Sequence, residues 1–153
     1  MKISDILPEA LVFPSLRAQT KAEVVRELAE QLAAQYPEID PNRLIEVLWE
    51  RERLGSTAIG DGIAIPHGKL PGLRQVLGAF GRHVQGVDFQ SLDGRPTQLF
   101  FLLVAPDDSV GQHLKALARV SRLLKDRAFR ARLLAAPDRA ELCRIIREED
   151  ERL

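Results

Sequence analysis

Apolar residues recur along this chain with two periods, and the change between them divides it into a helical start, a β-rich middle and a helical end. After Thr20, residues Val24, Val25, Leu28 and Leu32 fall at helical spacing up to Tyr36-Pro37, and Thr20-Lys21-Ala22-Glu23 has the form of a capping box, which predicts a first helix. Asp40 followed by Pro41 supplies an N-cap and a first helical residue for a second helix, with Leu44, Val47 and Leu48 as its buried stripe and an end near Leu54-Gly55. The period then shortens. Ile63 to Ile65, Val76 to Phe80 and Leu99 to Val104 read as strands of one sheet, separated by Pro71-Gly72, Gly86 and the Asp93-Gly94-Arg95-Pro96 turn. Asp107-Asp108-Ser109 is placed to cap a third helix whose core face is Val110, Leu114, Leu117, Ser121 and Leu124, and Asp126 and Asp138 start two shorter ones. Helices on both sides of the strands in sequence predict an α/β fold, a single domain with a mixed β-sheet flanked by helices.

Length and charge narrow the function classes. A chain of 153 residues supports one well-formed core and is short for two ordinary domains, so residues 1–153 are read as one unit. Its 22 basic and 22 acidic residues create no net field toward nucleic acid or an anionic membrane, and no run of aromatics offers a stacking platform. Nucleic acid is therefore not an expected partner. The start, Met1-Lys2-Ile3-Ser4-Asp5, lacks a signal-type apolar stretch, and no segment approaches the ~20 apolar residues of a membrane span, so a cytoplasmic protein without membrane insertion is expected. The single cysteine, Cys143, stands among Leu142, Ile145 and Ile146, cannot form an internal disulfide, and reads as core.

One stretch breaks the apolar pattern of the middle section. In Gly60-Asp61-Gly62-Ile63-Ala64-Ile65-Pro66-His67-Gly68-Lys69 an imidazole closes a β-branched run. Pro66 fixes its own φ, holds Ile65 extended and donates nothing to a ladder, while Gly68 allows close approach. This reads as a strand ending at His67 and presenting it. His113 falls early in the third helix, where the helix N-terminus disfavours imidazolium, so a neutral ring there can offer an N–H to an anion beside free backbone amides. His83, after Arg82, reads as a surface residue. Arg51 and Arg53 are two residues apart, about 200° around a helix, so one pocket takes only one of them. Arg51, a turn beyond Val47 and three residues beyond Leu48, is on the buried side and is the expected anion-binding group.

A histidine nucleophile beside an arginine and a neutral histidine suits phosphoryl transfer through phosphohistidine, because charge on the transferring oxygens is met by positioned cations and N–H donors. Other chemistries fit less well. Around Gly62 to Lys69 the glycine spacing of a nucleotide-binding P-loop is off by one, and Leu70 occupies the magnesium-binding Ser/Thr position. His67, His83 and His113 lack metal-ligand spacing, and no Gly-x-Ser-x-Gly elbow occurs, so neither a metal nor a cofactor is expected.

The chain resembles the IIA domain of the bacterial phosphoenolpyruvate-dependent phosphotransferase system, fructose and mannitol type. The family signature around its phosphorylated histidine is matched by Glu52, Ile59-Gly60, Ile63-Ala64-Ile65, Pro66-His67 and Gly68, and similarity extends from Ile3-Ser4-Asp5-Ile6-Leu7 through Val87-Asp88-Phe89 and Leu92-Asp93-Gly94 to Leu114-Lys115-Ala116-Leu117-Ala118. The resemblance implies that His67 is phosphorylated on Nε2, with Arg51 and His113 supporting the phosphoryl group. Arg51-Glu52-Arg53-Leu54-Gly55-Ser56-Thr57, and a chain without an attached transporter domain, look most like the nitrogen-regulatory branch. That branch implies an HPr-like carrier as donor and phosphorylation-dependent targets such as potassium transport proteins and sensor kinases. Stand-alone sugar-specific members imply the alternative of transfer to a IIB component. A module of the same fold that regulates by contact alone is the rival from another class, and would have no use for His67, Arg51 and His113 together. Ile59 and Leu70 are apolar candidates for a docking surface beside the loop.

Overall fold

The computed structural model describes residues 1–153. Its sheet has six strands: β1 (Val12–Phe13), β2 (Ala58–Gly60), β3 (Ile63–Ala64), β4 (His67–Leu70), β5 (Leu77–Val87) and β6 (Thr97–Pro106). Helices α1 (Lys21–Gln35) and α2 (Pro41–Glu52) precede most of the sheet, and α3 (Val110–Lys125), α4 (Arg127–Ala135) and α5 (Arg139–Glu151) follow it. The strand order is β1-β5-β6-β3-β2, with β4 also on β6. β5 and β6 run antiparallel, whereas β1–β5, β3–β6 and β4–β6 are parallel, so the α/β fold with a mixed sheet is as the sequence predicts.

Local chemistry starts the helices. The side chains of Thr20, Asp40, Asp126 and Asp138 each accept a first-turn backbone N–H. The capping box is shifted by one residue, since Glu23 accepts from the backbone of Gln19 rather than Thr20. Ser109 opens α3 without capping it, its hydroxyl turning to Asp108 instead. Strand β6 is apolar without alternation because both its faces are covered. On one face α3, α4 and α5 close over Phe80 and Phe101 through Val120, Phe129, Leu133 and Ile146. On the other, α1 and α2 pack together, with α2 seated on β4.

Three expectations are corrected here. The core face of α3 is His113, Ala116, Val120, Leu123 and Leu124, while Val110 and Leu114 are 51% and 59% exposed. A histidine occupies a core position of that helix, and a search for apolar periodicity alone slides the stripe past it. Strand β5 continues well beyond Phe80, and His83 lies inside it, 5% exposed, with Nε2 at 2.8 Å from the Ala18 carbonyl and Nδ1 accepting from the Gly86 amide at 2.9 Å. Its neighbour Arg82 is buried too, donating to the carbonyls of Pro14, Leu133 and Ala136, so these polar residues have backbone partners rather than water. Third, His67 does not end a strand. The pairing of β3 with β6 (Ile63 with Leu99) and of β4 with β6 (His67 with Leu103) keeps one register, so a single extended segment is interrupted only at Ile65-Pro66. Cys143 is half-buried against the core, and burial raises its thiol pKa.

Gly68 decides how closely α2 approaches. A Cβ at this position would stand 2.5 Å from Val47 Cγ1, closer than any real contact. Its use is therefore helix packing, where the sequence suggested access to the imidazole. Gly68→Ala is expected to cost about 1–3 kcal/mol through overpacking. Urea unfolding of Gly68→Ala, Val47→Ala and the double variant should show the two sites coupled, because trimming Val47 removes the clash. Strict additivity would count against this reading.

Candidate phosphoryl-transfer site

Extended backbone and one proline orient the central imidazole. Pro66 has no N–H, but its carbonyl still accepts from Leu103 at 3.0 Å, so the segment stays on the sheet while the Ile65 carbonyl is left outside the ladder. That carbonyl lies 2.7 Å from His67 Nδ1. A carbonyl is an acceptor only, so Nδ1 carries the proton and Nε2 is left with its lone pair. Arg51 Nε donates to Nε2 across 3.3 Å, which is consistent with that tautomer.

The three expected side chains come together from three directions. β4 has β6 as its single strand partner and is therefore a local edge. His67, paired with Leu103, points to the face covered by α3, whereas Gly68, paired with Val104, points to α2. Arg51 sits one turn beyond Val47 on α2 and reaches Nε2 around the open edge, anchored by its Nη1 bond to the Gly55 carbonyl at 2.9 Å. Arg53 is exposed and has no bond to His67 or His113. His113 approaches from the near face, its ring centroid 5.4 Å from that of His67.

Sequence reasoning passed over the support beneath Arg51. The next residue, Glu52, is buried, accepts from the amide of Thr57 at 3.1 Å and from its hydroxyl, and pairs with Lys21 at 2.9 Å. These bonds close the turn from α2 into β2 and fix the Gly55 carbonyl that holds Arg51. The only sequence signal was the place of Glu52 in the signature, which gave it no role. Of the two docking candidates, Ile59 is half-exposed and Leu70 is buried, so Leu70 belongs to the core.

Electrostatics favour neutral rings. Burial lowers the His67 pKa, opposed by the bond to Ile65 and reinforced by the Arg51 charge. Burial, with His67 and Lys69 nearby, lowers His113 to about 4. His113 Nδ1 is buried without a partner. An unpaired lone pair is tolerated there better than an unpaired N–H, which assigns the proton to Nε2 and makes that nitrogen a donor. Because the unfolded His113 titrates near 6.5 and the folded one near 4, the unfolded state binds more protons between those values. Stability carried by neutral His113 is present above about pH 6.5 and lost as pH falls toward 4, at most about 3 kcal/mol. Denaturant midpoints at pH 7 and pH 4.5 should fall further apart in the wild-type chain than in His113→Gln.

A histidine with one unprotonated nitrogen, an arginine donating to it and a second neutral histidine form a site for an anion that the ring can attack. Residues 5–149 match the family described as "Phosphoenolpyruvate-dependent sugar phosphotransferase system, EIIA 2". The chain belongs to this family. As a IIA domain it is 44% identical over 138 residues to a nitrogen regulatory protein of Bradyrhizobium diazoefficiens, covering 90% of each chain. It is 35% identical over 151 residues to the fructose-specific EIIABC component of Bacillus subtilis, covering 99% of this chain and 24% of that longer one. The crystal structure of nitrogen regulatory protein IIA-Ntr from Neisseria meningitidis matches this IIA domain with a TM-score of 0.88 at 31% identity, over 94% of this chain and 98% of that one. No helix of the domain is long and apolar enough to cross a membrane.

Proposed function

We propose that this IIA domain is a phosphohistidine carrier, taking a phosphoryl group on His67 Nε2 from the phosphohistidine of an HPr-like protein. The observation that carries the reading is the fixed tautomer, with the Nδ1 proton committed to the Ile65 carbonyl and the Nε2 lone pair facing Arg51. In the transfer, Arg51 Nε–H leaves that lone pair for a phosphoryl oxygen, and the lone pair forms the new N–P bond in line with the donor's P–N bond. The donor bond breaks and its electron pair stays on the donor imidazole. The Nδ1 proton remains where it is, shared with the Ile65 carbonyl, so the positive charge gained by the ring is met by a carbonyl dipole and no base is required. Arg51 and the Nε2–H of His113 serve the phosphoryl oxygens.

The identity to a nitrogen regulatory protein over nearly full length supports a regulatory role, in which the charge on His67 governs binding to targets such as potassium transport proteins or sensor kinases. The identity to a fructose-specific component supports a second reading, transfer onward to a IIB component. The test is phosphoenolpyruvate with enzyme I and HPr-type carriers, read by intact mass. One acid-labile phosphoryl group on this chain is expected, and no gain with any competent carrier would sink the proposal. Discharge on adding a IIB component would favour the sugar reading, and retention the regulatory one.

A further inference from the structure

Lys69 stands two residues beyond His67 on β4, paired with Ala105 as His67 is paired with Leu103, so both side chains leave the same face of the sheet. Their Cα atoms are about 6.6 Å apart along an extended strand, within the reach of a lysine stem. This is the face of α3, and His113 feels the Lys69 ammonium, which helps to keep its ring neutral. Arg51 arrives from the other side, around the sheet edge. Neither Lys69 nor Arg51 forms an ion pair, although Asp107 and Asp108 stand in the turn before α3. Of the two carboxylates that flank Arg51 in sequence, Glu52 is already neutralised by Lys21, and Glu50 is exposed and turned to Arg43 at 3.8 Å. Two cations outside any ion pair, Arg51 at His67 Nε2 and Lys69 on the same sheet face as His67, thus flank one imidazole together with the neutral ring of His113.

We propose that Lys69 is the second cation of the phosphoryl site, holding an oxygen of the group on His67 from the α3 side while Arg51 holds another from the α2 side. The inference rests on the reading of His67 as the phosphorylated residue. A phosphoryl group has three acceptor oxygens, and Arg51, His113 and Lys69 supply a donor for each, with neither cation held in an ion pair. Lys69 neither takes nor gives a proton in the transfer. Its charge acts on the anion alone.

A small donor separates this role from protein docking. Phosphoramidate transfers its phosphoryl group to Nε2 as its P–N bond breaks, the electron pair leaving with ammonia, and labelling is followed by intact mass. The wild-type chain should gain one phosphoryl group. Lys69→Met, which keeps the apolar stem at an exposed position, should be labelled about three- to tenfold more slowly, and Lys69→Arg should stay within about twofold of wild type. Wild-type rates in Lys69→Met, or an equal loss in Lys69→Arg, would overturn the role of Lys69 and leave His67 standing. A wild-type chain unlabelled by both phosphoramidate and phosphorylated HPr-type carriers would remove the His67 reading and this inference together.

Discussion

Replacing His67 by alanine is expected to abolish phosphoryl labelling completely, with the fold and thermal stability close to wild type. The loss is total because no other imidazole is free to substitute. Both nitrogens of His83 are committed to backbone groups, and His113 has one nitrogen buried and the other protonated toward the site. The fold survives because His67 is only partly buried and its bonds run to its own neighbour Ile65 and to Arg51 on the surface side. Intact mass after incubation with phosphoenolpyruvate, enzyme I and an HPr-type carrier decides the matter, with circular dichroism as the check on folding. Labelling that persists in His67→Ala would mean that the wrong nucleophile has been chosen. Partner binding indifferent to His67 and to phosphorylation would favour the contact-only module.

The second large effect is on stability, and it comes from a residue far from the phosphoryl group. Lys21→Met should destabilise the domain by about 3–5 kcal/mol, because it strips the cation from a carboxylate that is 1% exposed. Lys21 lies 2.9 Å from Glu52 and sits over the rings of Phe89 and Trp49, so water has little access to replace it. The double variant Lys21→Met, Glu52→Gln should regain much of the loss, since an amide at Glu52 leaves no net charge uncompensated. Urea denaturation at pH 7 measures both. A loss below about 1 kcal/mol in the single variant would show that the pair is better hydrated than the structure allows. The same variant should slow labelling, as the Glu52–Thr57 bonds fix the turn whose Gly55 carbonyl anchors Arg51.

Some of this was legible in the chain because it depends on neighbours in sequence. Caps at Thr20, Asp40, Asp126 and Asp138 act within one turn, and the apolar run from Leu99 to Val104 announces a strand. The choice of Arg51 over Arg53 also followed from helical rotation alone, since Val47 and Leu48 already marked the inner side. The choice of His67 rested on Pro66 and Gly68, and its tautomer follows from a carbonyl two residues away.

Features that depend on contacts between distant segments could not be read that way. His83 and Arg82 look like surface residues until the Ala18, Leu133 and Ala136 carbonyls are folded against them. His113 hides the true face of α3 because an imidazole has taken a core position, and periodicity counts only apolar side chains. The meaning of Gly68 lies with Val47, and that of Glu52 with Lys21, pairs set by how α1, α2 and β4 pack. Short-range stereochemistry thus fixed the elements and the tautomer of His67, while bringing Arg51 and His113 to that ring required the sheet edge, where groups from opposite faces can meet.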